Sequence, residues 1–218
     1  SNGDDDGCYM KITADNVVLD NVKFKVINIP DHGLGPNLGG GIFLAAPNLT
    51  VTLKNMTIPE NDNHGVFSYS DNSTVILDNC EFGPNFYHCI SFFDGDNDEM
   101  HPGKVIAKNT VFNGAVYGIT DSYFESCKFA HSDRGAWCPM ADCYGNVYFK
   151  NCEFGKYGRP IPPGYYYDLE PPFDYDYGVY NSVAGTVIEF TGCRYSNGAA
   201  FDKSIFLRGP ITPSKIII

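Results

Sequence analysis

Apolar and polar positions alternate in short bursts along this chain, and in each burst the alternation slips by one residue. In Val75-Ile76-Leu77-Asp78-Asn79-Cys80-Glu81-Phe82, Val75 and Leu77 fall on one face of a strand and Asp78 points away. After Asn79, Cys80 and Phe82 return to the first face. Asn tolerates the left-handed backbone conformation that produces such a slip. Val147-Tyr148-Phe149-Lys150-Asn151-Cys152-Glu153-Phe154 repeats the phrase closely, and further copies centre on Asn21, Asn55, Asn109, Ser126 and Gly192. Gly and Ser in place of Asn suit a tight bend. Each copy therefore predicts two short strands joined by a one-residue bend.

A third apolar strand follows most copies: residues 41–44, 65–69, 88–92, 115–119, 136–140 and 178–183. Three strands per unit, recurring at intervals of 17 to 41 residues, predict stacked coils with loops of variable length. The expected fold is all-β, a right-handed parallel β-helix with irregular three-strand coils and Asn-containing bends. A β-sandwich is the competing fold. It accounts for the short strands but not for Asn at the same place in every unit. No amphipathic helix is evident. The expected organisation is a cap and expression remnant over residues 1–10 and one β-helix domain over 11–218, with loop insertions at 94–103 and 155–177.

The chain has 218 residues, of which 43% are hydrophobic and 19% charged, enough for one domain with a real core. Its formal net charge of -11 repels phosphate backbones and anionic membranes, so nucleic-acid binding is not expected. No apolar run is long enough to span a bilayer. Ser1-Asn2-Gly3-Asp4-Asp5-Asp6 is not a signal peptide, and Ser214-Lys215-Ile216-Ile217-Ile218 resembles an interrupted strand. The expectation is a domain excised from a larger exported protein.

Stacking places equivalent residues one above another at roughly 4.8 Å. Cys80, Cys127, Cys152 and Cys193 then share an interior column with Val22, Met56 and Thr110. Small buried thiols packed as compact hydrophobes explain that column, because parallel stacked side chains are poorly aimed for disulfides. No CxxC pair supports zinc. Cys138 and Cys143 lie off the column, and pairing between them is the alternative to two free thiols.

Two insertions carry candidate chemistry. Asp94, Asp96 and Asp98 resemble the opening of a Ca²⁺ loop, although the Gly and distant Glu of the full motif are missing. A solvated acidic turn is the alternative. The insertion at 155–177 offers Tyr165, Tyr166, Tyr167, Asp168, Tyr175 and Tyr177. Tyrosines beside carboxylates suit sugar hydroxyls or a protein surface, whereas a Pro-stiffened loop covering a coil flank is the structural alternative. Catalytic candidates are Asp121, His131, Asp133, Arg134 and Asp142, since β-helix enzymes that cleave polysaccharides use clustered carboxylates or a basic residue with Ca²⁺. These residues form no motif, and a polar turn explains the 131–134 stretch. His32, His64 and His88 read as bonded turn or core residues. Lys23, Glu81, Lys128, Glu153 and Arg194, after the bends, read as a solvated ladder of weak pairs. Asn48, Asn55 and Asn72 fit the N-glycosylation rule, a match expected by chance in a chain this rich in turn Asn.

Gly39-Gly40-Gly41-Ile42, followed by Leu49-Thr50-Val51-Thr52-Leu53-Lys54-Asn55-Met56-Thr57-Ile58, resembles the units of polymorphic outer-membrane and adhesin-like β-helix proteins. Phe82-Gly83-Pro84-Asn85 fits their Phe-x-x-Asn phrase. The resemblance spans roughly Asp15 to Phe206, with each signature phrase present once. It implies a secreted or cell-surface module that binds a glycan or protein on another cell and supplies no catalytic residues. The alternative function is a polysaccharide lyase or glycoside hydrolase, or a degenerate relative, working in a groove on the coil.

Overall fold

A computed structural model describes residues 8, 10–24, 40–59, 64–83, 88–94, 99–130, 141–155, 179–195, 207–208 and 215–217. Every regular element among them is a strand. Three sheets hold nearly all of these strands, and within each sheet neighbours run parallel. The antiparallel sandwich is thereby excluded.

The sheet preceding the bend has eight strands, stacked in chain order: Val17–Asp20, Thr50–Lys54, Thr74–Asp78, Lys104–Lys108, Ser122–Glu125, Val147–Lys150, Val187–Thr191 and Lys215–Ile217. The sheet after it has six, from Thr57–Ile58 to Arg194–Tyr195. The third sheet has eight: Met10–Ile12, Gly40–Leu44, His64–Ser68, His88–Ser91, Ala115–Ile119, Ala141–Cys143, Val179–Asn181 and Leu207–Arg208. The chain visits the three in rotation, giving a β-helix-like parallel fold.

The bends are where the sequence pattern put them. Asn21, Asn55, Asn79, Asn109, Ser126 and Asn151 have φ between 51° and 55°, and Gly192 has φ 64°. An L-residue with a Cβ pays roughly 1–2 kcal/mol for this conformation, which explains the preference for Asn and Gly. The bend is also stapled to its neighbours. The Asn79 N–H donates to the Lys108 carbonyl at 3.1 Å, and Asn79 Nδ2 donates to Asn55 Oδ1 at 2.9 Å. Asn55 Nδ2 in turn donates to Asp20 Oδ1 at 2.9 Å. Sheet hydrogen bonding therefore passes through the corner without a break.

A second corner, before the first strand of the pair, was not evident from the pattern. Asn16, Asn48, Asn72 and Asp121 there have φ of 59°, 60°, 60° and 44°. Asn72 Nδ2 donates to Asn48 Oδ1 at 3.1 Å, repeating the side-chain ladder.

The inward positions build two aromatic stacks. Phe82, Phe112, Phe129 and Phe154 stack at centroid spacings of 5.5, 5.1 and 4.9 Å. Phe124, Phe149 and Phe190 stack at 5.2 and 5.1 Å on the sheet facing them. Contacts between the two stacks are edge-to-face, with Phe129–Phe149 tilted by 75°, the geometry that ring quadrupoles favour. The expected thiol column is also present. Met56, Cys80, Thr110, Cys127 and Cys152 are buried, Cys193 is half-buried, and no disulfide joins these cysteines. Hydrogen bonding with Cys127, and burial behind it, push Cys152 up to about 12, so this thiol stays protonated and behaves as a packing group. Cys143 is buried; Cys138 lies outside the described residues.

The outer face of the pre-bend sheet carries two registered columns. Val18, Thr52, Ile76, Ile106, Tyr123 and Tyr148 form one. Asp20, Lys54, Asp78, Lys108, Glu125 and Lys150 form the other, alternating in sign at each step. Glu125 accepts from Lys150 at 3.1 Å and lies 3.7 Å from Lys108. The charge ladder read from the sequence lay after the bend, where Arg194 meets Glu153 at 3.0 Å. The more regular ladder lies immediately before the bend.

Candidate functional site

The third sheet places an unusual set of side chains on its outer face. Its inner column, Ile42, Val66, Ile90, Val116, Ala141 and Val179, belongs to the buried core. The next position along each strand points the opposite way. Phe43, Phe67, Ser91 and Tyr117 occupy it in register, with Asp142 on the following strand. Gly41 and Gly65 let these strands approach closely. A Cβ on Gly41 would strike the Gly65 carbonyl, and one on Gly65 would strike the Cys89 carbonyl and the Phe82 ring. Gly41 of the 39–42 phrase therefore has a packing reason. Register shifts around Ala115–Val116 and between Val116 and Ile119 bend the sheet beside Tyr117, as bulges do next to built sites.

Rings run along this face. Phe43 stacks on Phe67 at 4.7 Å, and Tyr69 leans against both at 5.4 Å. His64 stacks on His88 at 5.1 Å with ring planes within 7°, and His88 stacks on Tyr117 at 4.6 Å. Phe93 meets Tyr117 edge-on at 5.9 Å. The two imidazoles face each other through Nδ1 atoms 3.2 Å apart, so one donates and the other accepts. Desolvation holds His64 down to about 4. Desolvation, and then the charge of His64, hold His88 well below the usual imidazole range. Both are neutral near pH 7.

Asp142 completes the row. It is buried, and burial pushes its carboxyl up to about 6 against the hydrogen bonds from Ser182 and Tyr117, which favour the charged form. Ser182 Oγ donates to Asp142 Oδ1 at 2.8 Å. Ser91 Oγ is buried between the Phe67 and Tyr117 layers and has no hydrogen-bond partner among the described residues. An orphaned buried hydroxyl costs roughly 1–3 kcal/mol.

The structure separates the residues singled out in the sequence. Asp142 sits in this row. Asp121 is exposed at the second corner with φ 44°; it serves as a bend residue there. His131, Asp133 and Arg134 lie outside the described residues, as do His32 and the candidate ligand residues Tyr165, Tyr166, Tyr167, Asp168, Tyr175 and Tyr177. Of the Ca²⁺ candidates, Asp94 pairs with Glu99 in a short antiparallel hairpin, while Asp96 and Asp98 lie outside the described residues. Among the described residues no cluster of three or more His, Cys, Asp or Glu could hold a metal. Next to the hairpin, His101 Nδ1 lies 2.8 Å from Asp71 and Nε2 lies 3.7 Å from Glu99. Sequence reasoning had treated His64 and His88 as structural and passed over Ser91 and Tyr117. Their relation appears only when residues 24 or more positions apart are stacked.

Comparison with known family profiles, curated proteins and solved structures found no match.

Proposed function

We propose that the chain is a right-handed parallel β-helix acting as a non-catalytic, adhesin-like recognition module, presented outside the cell. The handedness rests on the strong preference of parallel crossover connections for the right hand. The function rests on one observation: the half-buried rings Phe43, Tyr69, Phe93 and Tyr117 along the third sheet, beside the buried Phe67, Ser91 and Asp142. Aromatic faces beside hydrogen-bonding groups suit sugar rings, which present apolar C–H faces and a rim of hydroxyls. A glycan is the ligand class we assign. The Tyr-rich segment 165–177 and the acidic segment 94–98, with Ca²⁺, are further contributors in this reading.

A second reading, cleavage of a polysaccharide, draws on Asp142. A carboxyl group that keeps its proton near pH 6 can act as a general acid. Glycoside hydrolysis ordinarily uses two carboxyl groups roughly 5–9.5 Å apart.

A glycan array probed with the purified chain, with and without Ca²⁺, tests the first reading. Tyr69→Ala and Phe43→Ala are expected to weaken any hit roughly tenfold, as loss of an aromatic anchor does. Unchanged binding by both variants removes the third sheet from the function. Release of new reducing ends, abolished by Asp142→Asn, would establish the enzyme instead.

A further inference from the structure

The outer face of the pre-bend sheet has an organisation that the third-sheet site does not explain. Six consecutive layers carry the charges Asp20, Lys54, Asp78, Lys108, Glu125 and Lys150, strictly alternating. Beside them runs the column Val18, Thr52, Ile76, Ile106, Tyr123 and Tyr148. Val18 is 59% exposed and Tyr148 36%, and the four between them are half-buried. This is a largely apolar strip edged by a charge ladder, and Glu189 follows Tyr148 in the same column on the next strand.

An even number of alternating charges has a definite symmetry. Rotating the face by half a turn about the strand direction reverses the order of the layers and keeps each position along the strand. A sequence of minus, plus, minus, plus, minus, plus becomes its own complement. Layer one then meets layer six, and layer three meets layer four. Asp20 faces Lys150 of a second copy, Lys54 faces Glu125, and Asp78 faces Lys108, each pair occurring twice. The apolar column also matches itself. Ile76 meets Ile106 at the centre, Thr52 meets Tyr123, and Val18 meets Tyr148 at the ends. An odd number of alternating charges would place like against like.

We propose that this face is a self-association surface, and that its partner is a second copy of the same chain packed face to face with its coils running in the opposite direction. The interface is isologous, the symmetry that closes a dimer without propagating a filament. Packed sheets lie roughly 10 Å apart, a distance that interdigitated Ile and Tyr side chains fill. Six layers at ~4.8 Å and five residues at ~3.3 Å give a footprint of roughly 24 by 16 Å on each copy. That is roughly 800 Å² in total, below the range of standard specific interfaces, so the dimer is expected to be weak and reversible, no tighter than micromolar. The charges sit at the rim, where they set register and partner choice more than affinity. On a module presented at a cell surface, such a contact would join copies of the chain to one another.

Sedimentation equilibrium of the full 218-residue chain across a range of micromolar concentrations, at low and high salt, tests this. The expected result is a monomer–dimer equilibrium that weakens as salt rises. Ile76→Lys, on the outer face at the centre of the strip, is expected to raise the dissociation constant at least tenfold with an unchanged circular dichroism spectrum. Two ladder variants then read the code. Lys54→Glu/Lys108→Glu/Lys150→Glu makes one edge all negative, and Asp20→Lys/Asp78→Lys/Glu125→Lys makes the other all positive. Each alone is expected to stay monomeric, and an equimolar mixture is expected to form the heterodimer. A wild-type chain that stays monomeric throughout, or an Ile76→Lys chain that dimerises as well as wild type, overturns the proposal. Should the ladder variants fail to fold, Ile76→Lys and Tyr148→Lys decide it on their own. Glycan binding at the third sheet is read separately, and neither result depends on the other.

Discussion

Replacing Asn79 by Ala and, separately, by Gly distinguishes the conformational role of the bend from its hydrogen bonding. Asn79 sits at φ 54°, and its amide donates to Asn55 Oδ1 at 2.9 Å. Alanine loses that hydrogen bond, worth about 0.5–1.5 kcal/mol. It must also hold a left-handed conformation that disfavours a Cβ by about 1–2 kcal/mol. The sum is a loss of about 2–3 kcal/mol. Glycine loses the same hydrogen bond but adopts the conformation freely, at an added entropic cost of about 0.5–1 kcal/mol. Alanine should therefore be worse than glycine by about 1 kcal/mol, the reverse of the usual order within a strand, where glycine is the more disruptive. Glu81→Ala, at an exposed extended position just past the bend, should stay within ±0.5 kcal/mol. Urea denaturation at pH 7 with a common m-value gives the three differences. An alanine variant as stable as the glycine variant, or more stable, refutes the claim that left-handed geometry selects Asn at the bends.

Phe129 stacks between Phe112 and Phe154 and meets Phe124 and Phe149 edge-on, so Phe129→Ala should cost about 3–5 kcal/mol in a denaturant melt, while Phe129→Leu should cost clearly less. Burial lowers the His64 pKa from 6.5 to about 4. The unfolded chain therefore takes protons first, stability falls as pH drops from about 6.5 towards 4, and His64→Phe should flatten that part of a Tm-versus-pH curve. Asp142 has the opposite sign: its pKa rises from 3.8 to about 6, so its protonated form favours folding below that range and its charge opposes folding above it. Asp142→Asn should raise Tm at pH 8 and change it little at pH 4. Asn55, although within an acceptor sequon, should stay unglycosylated in a eukaryotic secretory host when checked by intact mass. Its amide is held by Asp20 and accepts from Asn79, and a glycan there would break both bonds.

The first corner and the inward columns could be read from the sequence because they leave a local trace. A period-two pattern that slips at Asn79 or Asn151 is visible within eight residues. The second corner at Asn16, Asn48 and Asn72 was missed because its Asn residues precede their strands, where turn residues are ordinary. Asn48 and Asn72 had drawn attention only as sequons. The ladder from Asp20 to Lys150 was hidden for another reason. Its members are 17 to 34 residues apart, and alternation of sign has no meaning until stacking makes them neighbours. The third-sheet row is the extreme case. His64, His88, Ser91, Tyr117 and Asp142 each look unremarkable in their own segments, and their chemistry arises from register and burial. Bulges beside Tyr117 further break the period that would have flagged an outer face.

Nuclear Overhauser contacts at Ile76 test the stacked parallel coil most directly. The backbone of Ile76 is expected to lie against Thr52 on one side and Ile106 on the other, with cross-peaks stepping in the same chain direction along all three strands. Cross-peaks stepping in opposite directions, or linking Ile76 to neither residue, would contradict it.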